Sequence, residues 1–331
     1  MSYSNSLSKE EQKELAKEKV EKALAKINSD VISIFDNDVL PEFLRFAANF
    51  HYFDINNVLL IYKQRPTATF VASFKAWERF SIDNWGDANR PIFTTSQKGQ
   101  GIGILVPYIL KKKGTVPDDA RSGQNNKVIS YFDYHVVFVF DKEQTNKIPT
   151  PIMQWDLSKS ETDSKAAFNA FKFRAPFMIC FSEEEDYNRN FSFKENDAAH
   201  AGKDVLTLNR KDMFNYYKLC SNMVRIFTFK SLSNIKKKFS ADEFEKIAEC
   251  VAYMVASYFG FPTEQYVFFF AKSWFNDTDK MLDTLDIIQR SAHSLIETLE
   301  EEMAHQKRQM DAIDDMYDTD NIFEVQSSFV F

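Results

Sequence analysis

The stretch FHYFDINNVLLIYKQRPTATFVASFKAWERF, residues 50–80, decides the fold of the first half of the chain. Apolar side chains recur at steps of three and four residues from Ile55 to Tyr62, which predicts a helix to about Lys63. Pro66 disfavours helical backbone at the residue before it, so we expect the helix to end there. A short extended segment and a second helix should complete the stretch.

The same stretch interleaves aromatic and basic side chains. Its aromatic residues are Phe50, Tyr52, Phe53, Phe70, Phe74, Trp77 and Phe80, and its basic residues are Lys63, Arg65, Lys75 and Arg79. Flat aromatic faces stack on bases and cations neutralise phosphates, so this mixture is typical of proteins that bind single-stranded nucleic acid. The alternative is that the aromatic residues form a hydrophobic core.

Composition limits the class of protein. The chain has 331 residues, enough for two domains, with 44% hydrophobic and 27% charged residues, as in soluble globular proteins. No apolar run reaches the length of a membrane span, and we expect a cytoplasmic protein without a membrane partner. Cys180, Cys220 and Cys250 are too few and too scattered for a disulfide framework.

Charge separates the two halves of the chain. The net charge is −7, and residues 1–158 carry 20 Lys and Arg against 19 Asp and Glu. The acidity therefore lies in the second half. A near-neutral first half can still carry a local basic groove for a nucleic acid.

Residues 50–80 resemble the N-terminal single-stranded-DNA-binding domain of ArdC/LtrC-like antirestriction proteins of plasmids and other mobile elements. The matching residues are Phe50, His51, Asn56, Asn57, Gln64, Pro66, Ala68, Thr69, Val71, Ala72, Phe74 and Trp77. Phe53, Asp54 and Ser73 depart from the family pattern. Further matching segments follow along the chain to about residue 300, so the resemblance covers the whole architecture.

The resemblance implies an α+β fold with two domains, and the charge pattern of the sequence adds an arm before them and a tail after them. A charged helical arm (1–30) precedes a helical and antiparallel-sheet domain that binds single-stranded DNA (31–155). A mostly helical zincin-like domain (156–310) follows, and the chain ends in an acidic tail (311–331). The long helix that begins near Thr278 is expected to end near Met310.

The resemblance and the residue types together give a candidate nucleic-acid surface. Its members are His51, Tyr52, Asn56, Asn57, Lys63, Arg65, Lys75, Trp77, Arg79 and Lys98. Tyr52 and Trp77 would stack on bases, the cations would bind phosphates, and the asparagines would hydrogen-bond the nucleic acid. Trp77 could instead belong to the core.

The second half lacks the metal ligands that the resemblance implies. Zincins bind zinc through H-E-x-x-H on one helix, because histidines four residues apart share a helix face and the glutamate polarises the water. Here Ser221 and Arg225 stand at the histidine positions and Asn222 at the glutamate position, while Glu249 matches the third ligand. We therefore expect no zinc, no cofactor and no peptidase activity. The charge of Arg225 would oppose metal entry, or Arg225 could instead pair with Glu249.

These observations favour a single-stranded DNA-binding protein of a mobile element, of the antirestriction or plasmid-conjugation type, with an inactive zincin-like domain. Two alternatives remain open. The second half could be a scaffold or decoy that binds a host or element-encoded protein, or it could be a peptidase with rebuilt ligands.

Overall fold

The computed structural model describes residues 18–23, 25, 31–35, 39–86, 99–113, 128–146, 155, 157–183, 191–266, 268 and 277–327. Its helices are α1 (Val39–Asn49), α2 (Ile55–Gln64), α3 (Phe74–Trp85), α4 (Glu161–Arg174), α5 (Tyr216–Ser231), α6 (Ala241–Tyr258) and α7 (Thr278–Ser327). Its strands are β1 (Val71–Ser73), β2 (Ile102–Lys113), β3 (Val128–Asp141), β4 (Met178–Ser182), β5 (Phe191–Asp197) and β6 (Lys203–Asn209). The fold is therefore α+β, as predicted.

The chain divides into two compact units. The first unit comprises Met1–Asp36 and Phe53–Pro151, and the second comprises Asn37–Tyr52 and Ile152–Phe331. Helix α1 belongs to the second unit because it packs on α6, whereas the sequence pattern grouped residues 37–52 with the first domain. Of the predicted arm, residues 18–23 and 25 are described and helical.

The first unit is built on an antiparallel sheet in the order β1-β3-β2. Side chains alternate between the two faces of each strand. Ile102, Ile104 and Val139 are buried on one face. On the other face Phe140 packs against Trp77 of α3, so α3 covers part of that face.

Local signals explain where α2 and α3 begin and where α3 ends. The Asp54 carboxylate caps α2 by accepting the Asn57 N–H at 3.1 Å. Ser73 caps α3 in the same way, by accepting the Ala76 N–H. Gly86 ends α3 with a left-handed φ of +65°, a conformation that costs glycine little.

The second unit combines a small mixed sheet with packed helices. Its strand order is β4-β6-β5, with β4 parallel and β5 antiparallel to β6. Helix α6 packs on α1, α5 and α7, while α4 packs on α5 and α7. Every residue of α6 from Ile247 to Ala256 is buried, so α6 forms the centre of this unit.

Helix α7 is longer than the sequence pattern suggested. It continues past Met310 to Ser327, through most of the segment predicted as an acidic tail. The segment contains no proline or glycine that would break a helix. None of the helices in the described ranges is both long and apolar enough to cross a membrane.

Candidate nucleic-acid interface and candidate metal-site positions

Asn57 is a structural residue of the first unit. Its side chain is buried, and its amide makes two hydrogen bonds to the backbone of Leu105 in β2. Nδ2–H donates to the Leu105 carbonyl and Oδ1 accepts the Leu105 N–H, both at 2.8 Å. The Asp54 carboxylate accepts a further bond from Nδ2. Both Nδ2–H donors are engaged and the side chain is buried, so Asn57 does not fit the predicted role in hydrogen-bonding a nucleic acid.

Gln64 repeats this arrangement two helical turns later. Its Nε2–H donates to the Gly103 carbonyl at 2.9 Å and its Oε1 accepts the Gly103 N–H at 3.0 Å. Strand β2 lies at the edge of the sheet, and alternate backbone groups along such an edge lack a strand partner. Two amide side chains of α2 thus take the place of a neighbouring strand.

Arg65 also has a structural role in the first unit. Its Nε–H donates to the carboxylate of the fully buried Asp141 at 2.8 Å. The other carboxylate oxygen accepts the Thr69 N–H, so Asp141 joins the end of β3 to the segment after α2. A buried carboxylate needs such partners, because desolvating an unpaired charge is costly. Arg65 is therefore committed to this ion pair and does not fit the predicted role in phosphate binding.

Trp77 lies in the core of the first unit. Its side chain is 0% exposed, and its indole N–H donates to the Phe140 carbonyl at 2.8 Å. Phe70 and Phe80 pack edge-on against its ring. A base cannot reach this ring, so the prediction that Trp77 stacks on DNA is wrong and the core alternative holds.

His51 and Tyr52 lie in the second unit, whereas the other candidate residues belong to the first. The Nδ1 atoms of His51 and His293 are 3.1 Å apart, so one ring donates to the other. The ring of His51 also contacts those of Tyr52 and Tyr258. Burial, followed by the neighbouring His293, lowers the pKa of His51 from 6.5 to about 4, which keeps the ring neutral near pH 7.

Three predicted cations are exposed on the first unit. Lys63 lies near the end of α2, while Lys75 and Arg79 lie four residues apart on α3 and share one face of that helix. Arg79 has a long contact of 3.9 Å with Asp83, which leaves it available to phosphate. Asn56 is half-buried, and Lys98 lies outside the described residues.

Two exposed aromatic residues of β3 were not among the predicted site residues. Tyr134 and Phe138 are 45% and 55% exposed and lie on the same face of the strand, which we call the aromatic face. Glycines leave room for Phe138: a Cβ at Gly101 would lie 3.0 Å from the Phe138 Cβ, and one at Gly103 would lie 3.7 Å from Cε1. The alternating aromatic residues of β3 and the two glycines are the features of the sequence from which this face could have been predicted.

The second unit contains an ion pair at the positions that the sequence resemblance assigns to metal ligands. The Arg225 Nε–H on α5 donates to the Glu249 carboxylate on α6 at 2.7 Å. The Arg225 guanidinium also lies over the Phe229 ring at 5.3 Å. Burial, followed by the Glu249 charge, raises the pKa of Tyr266.

The residues at this position do not fit a zinc ion. Ser221 and Asn222 supply a hydroxyl and an amide, which are poor zinc ligands, and the Glu249 carboxylate is already paired with a cation. The Asn222 Nδ2 atom is buried, and no described residue accepts a hydrogen bond from it. Within the described ranges, no cluster of three or more His, Cys, Asp or Glu is arranged to hold a metal.

Comparison with known proteins gives matches among solved structures alone. No family model and no curated protein matches the chain. The metal-free crystal structure of the antirestriction protein ArdC from plasmid R388 is similar over 76% of this chain and 86% of that one, at 16% identity and a TM-score of 0.39. The Mn(II)-bound structure of the same protein is similar over 76% and 85%, at 16% identity and a TM-score of 0.36.

Proposed function

We propose that the chain binds single-stranded DNA through the aromatic face of its first unit. The observation that carries the proposal is the exposure of Tyr134 and Phe138 on one face of a sheet. An exposed sheet bearing aromatic rings is a common platform for unpaired bases, because every base has a flat face that stacks without regard to sequence. Stacking on Tyr134 and Phe138 replaces the predicted stacking on Trp77.

The cations that support this proposal lie on α2 and α3. Helix α3 packs on the same sheet face as the aromatic pair, since Phe140 follows the alternation of Phe138 and contacts Trp77. Lys75 and Arg79 project from α3 into solvent, and Lys63 does so from α2. These three side chains would bind phosphates and make the affinity depend on salt.

The biological role that we propose follows from the sequence resemblance. A protein that coats incoming single strands in the cytoplasm could shield them from host nucleases, in keeping with an antirestriction or DNA-transfer role on a mobile element. The partner would be single-stranded DNA. A host or element-encoded protein is a second candidate partner, for the second unit.

A titration of fluorescently labelled oligonucleotides with the full-length protein tests the binding proposal. We expect the single strand to bind more tightly than a duplex of the same length. The logarithm of the affinity should fall linearly with the logarithm of salt concentration, by about 0.7 per phosphate bound. Equal affinity for both forms, or no binding at low salt, would contradict the proposal.

We further propose that the second unit is not a metallopeptidase. Zinc-dependent hydrolysis needs two or three neutral or anionic ligands and a general base beside the bound water. The guanidinium of Arg225 instead brings a positive charge to the third-ligand carboxylate at 2.7 Å. This contact opposes metal binding and disfavours the alternative of a peptidase with rebuilt ligands.

Restoring the missing ligands should restore metal binding. The triple variant Ser221→His, Asn222→Glu, Arg225→His is expected to hold about one zinc per chain, by the usual ligand geometry of this motif. The unchanged protein should hold far less zinc than the triple variant when the two proteins are incubated with zinc and desalted in the same way. Metal content is measured by mass spectrometry, and adding Glu249→Gln to the triple variant serves as the control. Stoichiometric zinc in the unchanged protein would show that the site is functional.

A further inference from the structure

A cysteine, a histidine and an aspartate form a connected chain in the second unit, away from the candidate metal-site positions in sequence and element. The Cys180 Sγ atom on β4 lies 3.8 Å from Nε2 of His200. Nδ1 of the same ring lies 3.2 Å from Oδ2 of Asp197. A carboxylate at Nδ1 fixes the proton there, which leaves Nε2 as the acceptor that faces the thiol.

The backbone holds Asp197 and His200 in place. Asp197 Oδ1 accepts the Ala199 N–H at 3.0 Å, so both carboxylate oxygens are engaged within one short turn. The Ala199 N–H, followed by His200, keeps the pKa of Asp197 below its ordinary value. The carboxylate therefore stays charged across the range in which imidazole titrates.

Backbone strain is concentrated at the two ends of this turn. Asn196 and Ala201 have φ values of 47° and 56°, and they are the only non-glycine residues with positive φ in the described part of the chain. Alanine at such an angle costs about 1–2 kcal/mol. Two local hydrogen bonds hold the backbone in this strained conformation. The Asn196 N–H donates to the Asp204 carboxylate, and the Gly202 N–H donates to the Asp197 carbonyl. Strain of this kind often accompanies functional sites.

The other two cysteines provide an internal comparison. Cys220 and Cys250 are fully buried, and burial raises the pKa of both thiols. Cys180 is partly exposed. Among the described residues it is the only cysteine whose sulfur contacts an imidazole ring. Thiolate reactivity depends on access and on a neighbouring base or cation, so the three thiols should differ greatly in reactivity.

We propose that Cys180 is a nucleophilic thiol activated by His200, with Asp197 as the positioning residue, and that it reacts with small-molecule disulfides. The Sγ–H proton passes to Nε2, and the thiolate attacks one sulfur of the disulfide. The S–S bond breaks, and Cys180 is oxidised to a mixed disulfide. The departing thiolate is the reduced product and takes the proton back from the imidazolium.

The kinetics of thiol exchange in the full-length protein test this assignment. The probe is dithiodipyridine, a neutral aromatic disulfide whose released thiol is followed by absorbance. One thiol per chain should react in a fast phase that Cys180→Ser removes. At about pH 6 that phase should be about 10-fold faster than the reaction of thiols in the denatured chain, because Nε2 of His200 is placed to accept the Sγ–H proton as the thiol attacks.

His200→Gln should slow the fast phase about 10-fold at acidic pH and much less at alkaline pH, where any accessible thiol ionises. Asp197→Asn should give an intermediate profile. His305→Gln, at an exposed histidine of α7, is the matched control and should change nothing. Circular dichroism and the continued protection of Cys220 and Cys250 report that each variant is folded. Two results would overturn the proposal: a rate of Cys180 exchange equal to that of thiols in the denatured chain, or a rate that His200→Gln leaves unchanged at every pH.

Discussion

Replacing Asn57 with alanine is expected to lower the free energy of unfolding of the first unit by about 2–4 kcal/mol. The change removes two hydrogen bonds and leaves the N–H and C=O of Leu105 without partners in a buried position. Each buried polar group left unsatisfied costs about 1–3 kcal/mol. The Asp54 carboxylate would also lose its bond from the Asn57 amide. Loss of this size is a large part of the stability of a small domain.

The adjacent asparagine provides the control for this prediction. Asn56 is half-buried, and Asn56→Ala should cost much less than Asn57→Ala, about 0.5 kcal/mol, as for most surface positions. Urea unfolding of the two full-length variants, followed by tryptophan fluorescence, measures the difference, because Trp77 reports on the core of the first unit. Equal stability of the two variants would show that the bonds to Leu105 contribute little.

Removing both rings of the aromatic face should weaken single-strand binding by about 100-fold at fixed salt. Alanine substitution at a base-stacking residue typically costs about 1–3 kcal/mol, and about 1.4 kcal/mol at each of two positions gives this factor. Tyr134 and Phe138 are exposed, so Tyr134→Ala with Phe138→Ala should leave the fold in place. The change removes a sequence-tolerant interaction, so oligonucleotides of different sequence should be affected alike.

Two further variants separate the contribution of base stacking to the affinity from the contribution of charge and from that of exposed hydrophobic surface. Phe173→Ala removes a 69% exposed phenylalanine from the second unit and should leave the affinity unchanged. Lys75→Ala with Arg79→Ala should reduce the salt dependence, by about 0.7 for each phosphate that the protein no longer binds. Anisotropy titrations across a salt series measure both effects. Full affinity in the Tyr134→Ala, Phe138→Ala protein would contradict the assignment of the aromatic face.

The sequence predicted the elements of residues 50–80 but misassigned several of their side chains. Periodicity indicates which positions of a helix face a core, and the α2 pattern and Pro66 predicted its extent well. The same pattern cannot show that an asparagine caps a strand edge or that a tryptophan is enclosed by other aromatic rings. Asn57 and Trp77 stabilise the fold of the first unit, and a sequence pattern alone does not distinguish such a role from binding.

Contacts between distant segments were the least predictable features. Helix α1 is amphipathic, but its own sequence does not say whether it packs with residues 53–151 or with α6. Cys180 and His200 come from different elements, 20 positions apart, and their contact depends on the strand order β4-β6-β5. The pairing of Arg225 with Glu249 was one of the alternatives that the sequence offered, because the resemblance aligns both residues with metal-ligand positions.

The most direct test of the central claim is to map where a bound single strand touches the protein. Ultraviolet crosslinking of oligothymidylate to the full-length protein, followed by proteolysis and mass spectrometry, identifies the side chains that stack on bases. We predict crosslinks at Tyr134 and Phe138 and none at Trp77. Crosslinks confined to the segment around His51 and Tyr52, or the absence of any crosslink under conditions that saturate binding, would contradict the account.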